Sequence, residues 1–185
     1  MKQMLKLGLI LALYTSIACI ALALVNNFTA GAIQRKAQDE LTRGLREVFT
    51  EAGSFEEVQS NFTASSGVHI DAVYTALKDG RIIGSVVKAT GSTYDKATIL
   101  VGIKTDNTIT SIQFLSLTDT PGFGQKAAEP AFKDQFSGKS SSDEFALGAD
   151  IDVISGATIT TKGVTSIVKS AAESGLEAIK NGGAN

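Results

Sequence analysis

Two short stretches hold the residues best suited to chemistry in this 185-residue chain. The first is Asp152-Val153-Ile154-Ser155-Gly156-Ala157-Thr158, which runs directly into Ile159-Thr160-Thr161-Lys162-Gly163 and an apolar-periodic segment. Hydroxyls and small residues at the start of a helix suit a phosphate. Gly156 and Ala157 let a ligand approach the backbone, while unpaired amides at the positive end of the helix dipole favour an anion. The same string also reads as an entry turn in which Ser155, Thr158, Thr160 and Thr161 do no more than cap the helix. The second stretch, Thr118-Asp119-Thr120-Pro121-Gly122-Phe123-Gly124, follows the strand-like run TITSIQFLSL. Its proline fixes one dihedral, its glycines permit close approach, and Phe123 can lie against a flat apolar ring system. Taken alone, it is equally an ordinary Pro-Gly turn with a core phenylalanine.

Other chemistries find little support. The single cysteine, Cys19, lies in an apolar run and the single histidine is His69, so there is no Cys/His set for zinc or an iron–sulfur centre and no intrachain disulfide. No Ser/His/Asp arrangement for nucleophilic catalysis is present. Redox chemistry would have to come from an organic cofactor or a partner. Lysine plus arginine (17) nearly balance aspartate plus glutamate (19), which leaves no basic field for nucleic acid. Lys126 and Lys162 can offset a phosphate charge or can simply be solvated.

The elements that must position these stretches follow from periodicity. Residues 7–25, LGLILALYTSIACIALALV, carry no charge and are long enough to cross a bilayer core of about 30 Å as a transmembrane helix. Lys2 and Lys6 precede the run, which points to a cytoplasmic segment 1–6 and an extracytoplasmic remainder. A cleaved signal peptide would begin in the same way, but its apolar core is about 7–15 residues. Ser16-Ile17-Ala18-Cys19 is similar to a lipoprotein processing site with serine where leucine is usual. All three readings deliver the rest of the chain to the same side of the membrane. Residues 26–60 read as an amphipathic helical linker, with Ala37, Leu41, Leu45 and Val48 at helical spacing.

From Val68 the pattern predicts about four antiparallel strands joined by turns at Asp79-Gly80, Gly91-Ser92 and Asp106-Asn107. Their core would be Val73, Ile82, Ile83, Val86, Val87, Ile99, Val101, Ile103, Ile109, Ile112, Phe114 and Leu115. A short helix is expected through Glu129-Pro130-Ala131-Phe132-Lys133. A long one should run from Thr160 or Thr161 to about Asn181, with Val164, Ile167, Val168, Ala171, Leu176 and Ile179 as its apolar stripe and Gly182-Gly183 ending it. The class is α+β: a transmembrane helix, then an antiparallel sheet packed with helices over residues 61–185.

Asp152 to Thr158 matches the D-x-x-S/T-G-A-T signal at which flavin transferases attach FMN to the final threonine through a phosphodiester. Thr120-Pro121-Gly122-Phe123-Gly124 is similar to the T-P-G-L-G loop of FMN-binding domains, with phenylalanine in place of leucine. With anchor, linker, sheet and final helix in the same order, essentially the whole chain resembles the G subunits of Rnf electron-transport complexes. The C subunit of the sodium-pumping NADH:quinone reductase is a relative that usually carries a longer soluble part.

The resemblance implies an FMN-binding domain over 61–185 with covalent FMN on Thr158. It implies an attachment signal in Asp152, Ser155, Gly156 and Ala157, and a ring-facing loop in Thr120, Pro121, Gly122 and Phe123. Maturation would need a flavin transferase that splits the pyrophosphate of FAD and releases AMP. The partners implied are the other subunits of a membrane complex that couples electron flow between ferredoxin and NAD to ion movement, with this chain as a single-pass electron relay in the inner membrane. The alternatives are a subunit of the quinone-reductase type, a flavin-free tethered binding domain, and a free-standing FMN reductase.

Overall fold

The computed structural model describes residues 2–59, 62, 64–65 and 67–182. Gly183, expected at the end of the last helix, lies outside them. The chain divides into two compact units, Met1–Leu41 and Thr42–Asn185. The first is helical throughout its described residues: helix α1, Lys2–Val48, begins there, and its apolar stretch is long enough to cross a membrane with none of that stretch buried in protein.

The second unit opens with the last seven residues of α1, Thr42 to Val48, and contains a five-stranded antiparallel sheet in simple sequence order. Its strands are β1 (Ser54–Val58), β2 (Val68–Lys78), β3 (Arg81–Ser92), β4 (Lys96–Lys104) and β5 (Ile109–Leu117). Two of the turns are where the sequence predicts them. Asp79 and Gly80, with φ of 51° and 74°, close the β2–β3 hairpin with two positive dihedrals, the geometry matching the twist of the strands it joins. Asn107, with φ of 74°, turns β4 into β5. The strand β1 was not expected, since residues 54–58 fall in the segment read as a helical linker; they pair with β2 from Ser54↔Leu77 to Val58↔Val73.

One face of the sheet carries helix α3, Thr158–Gly182. Val164, Ile167, Val168, Ala171 and Ala178 are fully buried against Val73, Val87, Ile99, Val101 and Ile103. Of the expected core, Ile82, Ile83, Phe114 and Leu115 are only half-buried. Glycines bring α3 close: a Cβ on Gly163 would stand 2.4 Å from the Ser92 carbonyl, and one on Gly175 would stand 2.7 Å from Ser85 Oγ, which donates to the Gly175 carbonyl at 3.0 Å. The opposite face is covered by the end of α1. A Cβ on Gly44 would meet Leu100 at 2.7 Å, Val48 packs over Gly102, and Phe49 over Gly84.

Between β5 and α3 lie a 3-10 turn at Gly124–Ala128, the short helix α2 (Pro130–Lys133) and a second 3-10 turn at Asp134–Phe136. Pro130 opens α2, where its missing N–H costs nothing. Phe132 and Phe136, edge to face at 5.5 Å, and Phe145, 6.2 Å from Phe136, anchor this segment.

Candidate functional site

The entry to α3 is built by a turn. Ala157 N–H donates to the Ile154 carbonyl at 2.9 Å, and Gly156 at the corner has φ of 76°, a conformation that disfavours any side chain. Thr161 closes the turn from inside the helix: its hydroxyl accepts from Ile154 N–H at 3.2 Å and donates to the Ala157 carbonyl at 3.0 Å. Thr158 is the first helical residue and is exposed. Among the described residues its side chain makes no hydrogen bond, unlike those of Thr160 and Thr161. The first amides of any helix lack intrahelical acceptors, so Thr158 stands where an anion is favoured.

Thr158 opens into a cavity of about 540 Å³ lined by Tyr94, Thr120, Phe123, Gly124, Gly156, Ala157, Ile159 and Thr160 as well as itself. That volume falls within the roughly 300–1,000 Å³ of small-molecule and cofactor sites. The two motifs, separated in the chain by residues 125–151, thus meet in one place. Contact is direct: a Cβ on Gly156 would lie 3.0 Å from Cδ1 of Phe123. The mouth is apolar, with Tyr94, Phe123 and Ile159 each more than half exposed. Among the described residues outside α1, Tyr94, Phe123 and Ile159 are the large apolar side chains most open to water, and all three line this one cavity. A flat aromatic cofactor with a phosphate fits this chemistry: apolar walls for the ring and a helix amino terminus for the anion.

The other residues singled out in the sequence lie apart from the lining. Pro121 and Gly122 form the exposed tip of the loop, with Gly122 at φ of 77°. Asp152 and Ser155 are exposed, and Asp152 N–H donates to Gln135 Oε1 at 2.7 Å. Lys126 and Lys162 are exposed. His69 is an exposed residue of β2, 3.9 Å from Asp71.

Behind the lining sits a residue that lies within the second stretch but to which the sequence assigned no role. Asp119 is 1% exposed, and its carboxylate accepts from Thr93 Oγ1 at 2.5 Å, Thr160 Oγ1 at 2.5 Å, Asp95 N at 2.9 Å and Tyr94 N at 3.2 Å. Burial pushes its pKa up. The hydrogen bonds from Thr160, Thr93, Asp95 and Tyr94 outweigh that and hold it below the ordinary aspartate value.

Comparison with known proteins agrees with this geometry. Residues 93–173 match the model of the FMN-binding domain, a span that includes all the residues lining the cavity, and residues 1–48 match that of the RnfG N-terminal region. The chain is 35% identical to the G subunit of the Na(+)-translocating ferredoxin:NAD(+) oxidoreductase complex of Acetobacterium woodii, over 89% of this chain and 88% of that one. The chain belongs to the RnfG family. A second RnfG relative, the G subunit of the ion-translocating oxidoreductase complex of Cereibacter sphaeroides, is 28% identical over 87% of this chain and 79% of its own. The RnfG fold is shared with the C subunit of the Na(+)-translocating NADH-quinone reductase of Parabacteroides distasonis: TM-score 0.54, 21% identity, 75% of this chain and 91% of that one.

Proposed function

We propose that this RnfG-family protein is the electron-relay subunit of a membrane-bound ferredoxin:NAD oxidoreductase complex of the Rnf type, and that it carries FMN joined by a phosphodiester to Thr158. The observation behind this reading is that Thr158, exposed at the first turn of α3, opens into the same cavity as Phe123. FMN would supply the electron transfer, and the chain supplies everything else. Gly156 allows the phosphate to approach, the first amides of α3 face it, and Tyr94, Phe123 and Ile159 offer apolar surface to the ring. No proton donor or acceptor is required of the protein.

Attachment needs a dedicated flavin transferase acting on FAD. Thr158 Oγ1 forms the new P–O bond, the pyrophosphate bond breaks, AMP leaves with the electron pair, and the threonine proton is lost. Asp152 and Ser155, beside the acceptor, are available for the transferase to read. The apolar part of α1 spans the inner membrane once, with residues 1–6 on the cytoplasmic side and the FMN-binding domain on the other. There a covalent bond keeps the flavin from being lost to bulk solvent. The remaining subunits of the complex are the partners.

The test is intact mass and in-gel fluorescence of the denatured protein from cells that also express a flavin transferase, with Thr158→Ala alongside. The wild type should gain one FMN less one water and the variant nothing, with stability changed by no more than about 0.5 kcal/mol. Label persisting in Thr158→Ala would move the attachment elsewhere. An unlabelled wild type would leave a tethered domain without flavin.

A further inference from the structure

We propose that Asp119 is the positioning residue of this site: its buried carboxylate holds together the three chain segments that form the cavity, and so sets the orientation of the flavin on Thr158. The proposal rests on the reading of Thr158 as the attachment point and deepens it.

Every residue lining the cavity belongs to one of three segments: Tyr94 to the loop after β3, Thr120, Phe123 and Gly124 to the loop after β5, and residues 156–160 to the entry of α3. Asp119 stands at the head of the second segment. It takes three hydrogen bonds from the first, through Thr93 Oγ1, Tyr94 N and Asp95 N, and one from the third, through Thr160 Oγ1. Thr160 lies two residues beyond Thr158 in the same helical turn, so a bond to one fixes the other. Asp119 does not itself line the cavity and acts only through these neighbours. It also has little room to move, because a Cβ on Gly124 would fall 2.6 Å from its own Cβ.

The donor set requires a carboxylate. An ionised aspartate offers only acceptors, and here it meets four donors. The two hydroxyls can rotate and adapt, but the two backbone N–H groups cannot. Oδ1 receives Asp95 N and Oδ2 receives Tyr94 N. An asparagine of the same shape must place its NH₂ at one position or the other, and so sets a donor against a backbone donor whichever way it turns. Asp119→Asn therefore disturbs the joint between the segments with almost no change in volume.

The experiment uses the full-length membrane protein produced with a flavin transferase, comparing wild type, Asp119→Asn and Thr160→Val. Far-UV circular dichroism reports the fold, intact mass reports labelling, and visible-region circular dichroism of the labelled, folded fraction reports flavin orientation. Asp119→Asn should keep its far-UV spectrum and label on the order of tenfold less. Its residual flavin should show an altered visible band. Thr160→Val, which removes one bond and spares both backbone N–H contacts, should fall between.

Wild-type labelling with an unchanged visible band in Asp119→Asn would overturn the proposal. Reduced labelling with an unchanged band would do so as well, since the carboxylate would then serve stability alone. If Asp119→Asn does not fold, Thr160→Val decides by the same two criteria. A wild type that never acquires FMN fails differently, removing the reading of Thr158 and this inference with it.

Discussion

Helix α3 is gripped by different forces along its length. From Val164 to Ala178 it is held by apolar side chains with no exposure at all and by glycines that press its backbone onto β3 and β4. Its first turn is held by polar contacts: Thr160 on the Asp119 carboxylate and Thr161 folded back on Ile154. Dispersion and burial are insensitive to direction and supply stability. Hydrogen bonds are directional and supply orientation. Damage to the body of the helix should therefore lower stability without altering the site in molecules that remain folded, whereas damage to the first turn should alter the site first.

The largest effect on stability is expected from Ile167→Ala. It would empty part of the layer between α3 and the sheet at a cost of about 2–5 kcal/mol, read as a lower urea midpoint, while the visible spectrum of the folded, labelled fraction stays as in wild type. A changed flavin band in that fraction would break the division between body and first turn.

A smaller effect concerns acid. The folded-state pKa of Asp119 is depressed, so its contribution to stability is complete above the unfolded aspartate value of about 3.9 and is lost as pH falls through the lower folded value. Wild type should lose its advantage over Asp119→Asn in that window and hold it at neutral pH, in paired unfolding curves. Asp106, which Thr108 holds low in the β4–β5 turn, titrates in both proteins and cancels. A stability difference that stays flat from pH 7 to well below 3.9 would show that the charge on Asp119 is not what ties the first turn down.

The smallest stability effect is expected from Phe123→Ala. The ring is 55% exposed, so its loss should cost no more than about 0.5 kcal/mol while changing the fluorescence and visible circular dichroism of the bound flavin. A large drop in thermal midpoint with an unaltered flavin would return Phe123 to the role of a packing residue.

The parts of this molecule legible in its sequence are those encoded locally. The two hairpin turns and the α3 stripe each rest on a contiguous pattern, whereas the pairing of Thr158 with Phe123 was expected only from the family resemblance of two separate motifs. Strand β1 escaped because SFEEV has only Phe55 and Val58 to mark it, and both are only half-buried at the sheet edge. Ile82, Ile83, Phe114 and Leu115 read as core by composition, yet each is left half-covered in the sheet. The role of Asp119 was illegible for another reason: its partners lie 24 to 26 residues before it and 41 after it, and no local pattern distinguishes an aspartate that will gather four donors from one that faces water.

The burial of Leu45, Val48 and Phe49 determines where a self-sufficient fragment can begin. Cut at the first strand, the sheet would show water the surface around Leu100 and the backbone at Gly84 and Gly102, which those residues and Gly44 now cover. A self-sufficient fragment should therefore start at or before Thr42, where the second compact unit starts. The end of the long helix from Thr42 onward is then part of the folding unit rather than a tether to it, and a truncation placed downstream of it would be prone to self-association through the uncovered face.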